Sequence, residues 1–168
     1  MSLTDKLKSD YTNIILLTEE LLKEGFIIQI NVGGYSMFPY LRKGNTIFIK
    51  KESINTLKTG DVIVFRSVNK MIAHRIISIR KKNSQVKILT KGDSLGFFDK
   101  PMTEERYIGK IIEIYRNDKT ILIDTPIHLL LNKLIALISV ISIPFFITLI
   151  PLTFSFHFFK THLILNKK

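Results

Sequence analysis

The chain has 168 residues, 46% hydrophobic and 23% charged, which is enough for one compact core with a small appendage and too apolar for a disordered chain. It contains no cysteine, which excludes disulfides, thiolate metal sites and a cysteine nucleophile. The net charge of +11 comes from scattered basic residues with no recognition helix and no aromatic-basic alternation, so an anionic membrane surface accounts for it better than nucleic acid.

Leu3, Leu7, Tyr11, Ile14, Ile15, Leu21 and Leu22 follow helical spacing. They predict one or two amphipathic helices over residues 1–25, closed by Gly25 as a C-cap. The longest apolar run there is Ile14 to Leu17, and charges occur throughout, so this segment reads as neither a signal peptide nor an anchor.

From Phe26 the period changes to that of strands. Strands are predicted over Phe26–Val32, Thr46–Lys50, Asp61–Arg66, Met71–Ile79, Gln85–Thr90, Tyr107–Tyr115 and Lys119–Ile123. The separators Lys43-Gly44-Asn45, Thr59-Gly60-Asp61, Val68-Asn69-Lys70 and Asn117-Asp118 are turn chemistry. Short strands at this spacing predict a mainly β, antiparallel domain over residues 26–126, with Lys91 to Arg106 as its longest loop.

Beyond Pro126 the composition shifts. Leu134 to Phe159 holds no Lys, Arg, Asp or Glu. The 23 residues from Leu134 to Phe156 would extend about 34 Å as a helix, against a hydrocarbon core of about 30 Å. Pro144 and Pro151 are tolerable kinks in such a helix. Residues 127–168 are therefore expected to form a C-terminal transmembrane helix with a short basic tail, the alternative being a buried core helix or a hairpin lying in the membrane interface. The flanking positive charges are balanced, and nothing N-terminal reads as an export signal. The expectation is a single-pass protein of the cell membrane with its β domain on the cytoplasmic side.

The candidate chemistry begins at Gly33-Gly34-Tyr35-Ser36-Met37-Phe38-Pro39-Tyr40-Leu41. The glycines permit a sharp bend and close approach of another chain, and Pro39 restrains the following turn, so Ser36 lies where its hydroxyl could meet a substrate. Gly, Ser and Pro are also ordinary hairpin-corner residues. A serine hydroxyl needs an adjacent base at neutral pH. Of the four histidines, His128, His157 and His162 lie in or beside the apolar tail, which leaves His74 in the β domain on one strand face with Ile72 and Ile76. Lys70, in an apparent turn, is the weaker candidate for a base. A base of this kind is usually oriented by a carboxylate, and Asp93 and Asp99 on the long loop are both available. Each also has an ordinary structural explanation, as a turn cap or a solvated loop charge.

Four stretches together resemble a known pattern. Gly34-Tyr35-Ser36-Met37-Phe38-Pro39-Tyr40-Leu41 is similar to the nucleophile box of type I signal peptidases and their relatives, which include self-cleaving repressors. Gly60-Asp61-Val62-Ile63-Val64-Phe65 is similar to the strand box that follows it. His74-Arg75-Ile76-Ile77 resembles the base box of the endoplasmic-reticulum, archaeal and sporulation-type branch, which uses histidine in place of lysine. Thr90-Lys91-Gly92-Asp93, with Asp99 six residues on, resembles the acidic box.

The resemblance spans roughly Val32 to Ile114. It implies a signal-peptidase-like β core and a serine endopeptidase that removes a leader or signal segment from a peptide or preprotein. Ser36 would be the nucleophile, His74 the general base, and Asp99 or Asp93 the residue orienting it. Gly34, Met37 and Pro39 would contact substrate, and no cofactor or metal is implied. Relatives often supply a second oxyanion donor from a hydroxyl two residues before the serine, where this chain has Gly34. They also usually carry an N-terminal anchor, whereas the only anchor expected here is C-terminal. The alternatives are a non-catalytic peptide-binding module of the same fold and a self-cleaving regulator.

Overall fold

The structure is a computed structural model that describes residues 3–138 and 140, apart from 69, 83, 84, 124 and 126. Helix α1 (Leu3–Lys23) precedes seven strands: β1 (Ile28–Asn31), β2 (Thr46–Lys50), β3 (Val62–Ser67), β4 (Lys70–Lys82), β5 (Gln85–Lys91), β6 (Tyr107–Arg116) and β7 (Lys119–Leu122). A 3-10 turn at Glu104–Arg106 leads into β6. A second helix, α2, covers residues 127–138.

The strands form one sheet in the order β1-β2-β6-β3-β4-β5, with β7 paired to β6, and every pairing is antiparallel. β3 is the strand with an unbroken apolar run, and that run is buried on both faces. Val62 and Val64 enter one core cluster with Ile47, Ile49, Ile108 and Ile111. Ile63 and Phe65 enter a second with Ile76, Ile88 and Met102. Successive side chains on a strand point to opposite faces, so one segment serves two cores.

α1 is a single helix. Ile15, Thr18 and Leu22 form its buried stripe, and the Thr18 hydroxyl is returned to the Ile14 carbonyl at 2.8 Å. Gly25, at φ +95°, ends it in a Schellman turn: Phe26 N donates to the Leu21 carbonyl and Gly25 N to that of Leu22. The Asn117-Asp118 turn joining β6 to β7 has both residues at positive φ, as a tight hairpin of matching twist requires.

The expected C-terminal transmembrane helix is corrected by the structure. Among the described residues, no helix is long and apolar enough to cross a membrane. Most of the apolar run, from residue 141 onward, lies outside the described residues, together with Pro144, Pro151, His157 and His162. Its beginning lies in α2, where Ala136 is buried, as is Asn132 one turn before it. The chain enters α2 through Thr125, whose carbonyl accepts from Leu129 N at 2.9 Å and whose hydroxyl pairs with His128 Nδ1 at 2.7 Å.

Candidate active site

Ser36 follows β1 in a run of turns. Phe38 N donates to the Tyr35 carbonyl and Leu41 N to that of Met37, and the Phe38–Pro39 peptide is cis. The loop after β5 packs onto this turn: Ser94 N donates to the Ser36 carbonyl at 3.0 Å, and the Ser94 hydroxyl donates to the Tyr35 carbonyl at 2.7 Å. The contact depends on Gly92, where a Cβ would lie 2.6 Å from the Ser36 carbonyl oxygen. Gly33 and Gly34 differ, because a Cβ on either would meet nothing within 4 Å. The chain's own packing does not require that pair, which leaves an open strip of backbone beside Ser36.

β4 carries His74 against this turn. His74 Nε2 is 3.0 Å from Ser36 Oγ, and His74 Nδ1 is 2.6 Å from Asp99 Oδ2. With a carboxylate on Nδ1, the neutral ring keeps its proton there and leaves Nε2 free to accept from the serine hydroxyl. The Thr90 hydroxyl donates to the same Asp99 oxygen at 2.7 Å, and Asp99 N donates to the Thr90 carbonyl at 2.9 Å. Phe65 meets the imidazole edge-on, with centroids 6.0 Å apart. Burial pushes the Asp99 carboxyl up. The hydrogen bonds from His74 and Thr90, with the electrostatic pull of the imidazole and of Arg106, outweigh that and hold it below the usual carboxylate range.

Asp93 faces a different partner. Its two oxygens accept from Arg75 Nε at 2.8 Å and Arg75 Nη2 at 2.7 Å, a fork-to-fork pair. Arg75 is fully buried, and its guanidinium carbon lies 4.5 Å from the centre of the Tyr40 ring. Of the two aspartates the sequence offered, Asp99 meets the imidazole and Asp93 anchors the loop.

Ser36, His74 and Asp99 lie at a groove of about 520 Å³. Its walls are mostly apolar, with Met37, Leu41, Ile47, Ile49 and Val64 among them, and Gly33 and Gly34 line it from β1's end. Lys70, the alternative base, also lines the groove, while the atom bonded to Ser36 Oγ is the imidazole Nε2. Pro39 lines a separate cleft of about 380 Å³ shared with Tyr40 and α2. Among the described residues, no cluster of three or more His, Cys, Asp or Glu could hold a metal ion.

No family model matches this chain. A stretch of 73 residues is 30% identical to the human protein described as signal peptidase complex catalytic subunit SEC11C, and the mouse and dog proteins match equally. That stretch resembles a signal peptidase catalytic subunit. It covers 42% of this chain and 38% of each relative, so the similarity reaches well under half of either protein.

Sequence reasoning had not assigned roles to Thr90, Arg75, Gly92 or Asn132. Strand alternation carried a signal for Arg75, since a charge next to His74 must face the opposite side and find its own partner there. Asn132 carried a fainter one, as an amide inside the leucine-rich run Leu129-Leu130-Leu131-Asn132.

Proposed function

We propose that the protein is a serine endopeptidase of signal-peptidase type that cleaves a leader or signal segment from a peptide or protein. The observation carrying this reading is the hydrogen-bonded chain from Ser36 Oγ through His74 to Asp99 at the mouth of an apolar groove. The similarity to a signal peptidase catalytic subunit supports the same chemistry.

In this reading an extended substrate lies along the open Gly33-Gly34 strip, with an apolar side chain against Met37 and its neighbours. Ser36 Oγ attacks the scissile carbonyl carbon while His74 Nε2 takes the hydroxyl proton, giving a tetrahedral oxyanion and an imidazolium held by Asp99. The Ser36 N–H is one donor to that oxyanion. Collapse breaks the C–N bond, and His74 passes its proton to the departing amine. Water then attacks the acyl-enzyme, with His74 again accepting and returning a proton, which releases the carboxylate product and restores Ser36. The test is hydrolysis of a peptide substrate by Ser36→Ala: complete loss is expected, and undiminished cleavage would overturn the assignment.

A second reading, a peptide-binding module without catalysis, draws on Gly34, which cannot supply a side-chain donor to the oxyanion. Covalent labelling of Ser36 by a serine-reactive inhibitor separates the two, since only an activated hydroxyl is acylated.

A further inference from the structure

Asn132 stands outside the Ser36–His74–Asp99 hydrogen-bonded chain, yet it is only 2% exposed, and its Oδ1 accepts from Arg75 Nη1 at 3.0 Å. The same Nη1 donates to the Gly60 carbonyl at 2.9 Å, and Nε and Nη2 hold Asp93. Four of the five guanidinium N–H groups are thereby spent on fixed acceptors. These acceptors come from the turn before β3, from the loop carrying Asp99, and from α2. The Arg75 side chain also covers the Tyr40 ring, in the turn that presents Ser36.

α2 is set against this point by backbone as well. Gly60 is at φ +98°, and a Cβ there would lie 3.0 Å from Asn132 C and from Lys133 N. The missing side chain lets α2 come close enough for its amide to reach a buried arginine.

We propose that Asn132 is a positioning residue for the His74–Asp99 pair, acting through Arg75 and Asp93, so that α2 belongs to the catalytic framework. Asn132 fixes the plane of the Arg75 guanidinium, that plane fixes Asp93, and Asp93 fixes the start of the loop whose end presents Asp99. Displacements of about 1 Å at reacting groups cost up to about 10²-fold in rate, so an acceptor this far from Ser36 is expected to show in turnover. The kinetic part of this inference rests on the peptidase reading; its structural part does not.

The test compares full-length Asn132→Ala and Asn132→Asp with the native chain. Two things are measured: hydrolysis of the same peptide, and the NMR signals of the Arg75 Nε–H and His74 Nδ1–H protons. Asn132→Ala is expected to lower kcat about 10- to 10²-fold with KM unchanged, and to shift both proton signals. Asn132→Asp keeps an acceptor oxygen and is expected to restore both. Gly60→Ala, which pushes α2 away from the other side, is expected to reproduce the same spectral changes. Should Asn132→Ala fail to fold, Asn132→Ser is read in its place. Unchanged Arg75 and His74 signals overturn the proposal, as does a fall in thermal stability with kcat per folded molecule intact. If the native chain hydrolyses no peptide, the peptidase reading fails, and the NMR comparison alone still decides the coupling.

Discussion

His74 and Arg75 are neighbours on β4, and each holds one of the two aspartates of a single loop. His74 Nδ1 meets Asp99 at 2.6 Å, while Arg75 grips Asp93 with two bonds of 2.8 and 2.7 Å. Because adjacent strand residues point to opposite faces, the loop is pinned on both sides of β4 at once. One carboxylate is left at the groove, and the other is held against Arg75 beside the separate cleft shared with Tyr40 and α2.

That division predicts a different leading effect for each aspartate, turnover for Asp99 and stability, with turnover following through the loop, for Asp93. On the peptidase reading, Asp99→Asn removes the charge that would stabilise the imidazolium and select its tautomer, and is expected to lower kcat by roughly 10³–10⁴ while keeping the fold, with a smaller loss of stability than an Asp93 variant. Thr90→Val, losing one bond to the same carboxylate, is expected to have a smaller effect in the same direction. Steady-state kinetics beside thermal melts check both; an Asp99→Asn enzyme of near-native kcat would remove Asp99 from the mechanism.

Asp93→Asn is expected to act on stability first. Removing one partner of a buried ion pair strands the other charge, at a cost of about 3–5 kcal/mol. Arg75→Met alone and Asp93→Leu alone should therefore each be more damaging than half of the double variant. Urea denaturation of the four proteins measures the coupling, and strictly additive effects would show that the pair is not a unit.

The depressed Asp99 carboxyl sets a pH dependence. The folded chain binds a proton there less readily than the unfolded chain, whose aspartate titrates near 3.8. The stabilisation from Asp99 is fully present above that value and is lost as pH falls through the lower, folded one. Native protein is expected to lose stability more steeply than Asp99→Asn across that acid window. Parallel curves of unfolding midpoint against pH for the two would contradict it.

The three glycines near Ser36 are expected to separate by function. Gly92→Ala places a Cβ 2.6 Å from the Ser36 carbonyl oxygen and 2.9 Å from Leu95, so the loop must shift, and both stability and turnover should fall. Gly33→Val and Gly34→Val add a Cβ that meets nothing within 4 Å in the chain itself. They should fold normally but raise KM for peptides that need the open strip. A Gly34→Val protein with native KM would show that substrate runs elsewhere.

Much of this architecture was legible along the chain. Thr46–Lys50 alternates as a half-buried strand should, Val62-Ile63-Val64-Phe65 reads as doubly buried, and Gly25, Gly44 and Gly60 mark turns where positive φ is required. Ser36 and His74 were also legible as candidates, because one sits on a constrained turn and the other is the sole histidine of the β domain. These are local properties: periodicity, turn chemistry and residue type act over a few neighbours, and a linear string records them.

What tertiary structure decided is which distant groups share a partner. Asp93 and Asp99 look alike on a long loop, and only the register of β4 against β5 turns one to the imidazole and the other to the guanidinium. Asn132, 57 positions beyond Arg75, supplies one of that guanidinium's acceptors although local composition marks its neighbourhood only as apolar. Hydrophobicity reports that a segment avoids water, whereas the face it buries, and against what, is fixed only when the helix meets a surface with a missing Cβ at Gly60.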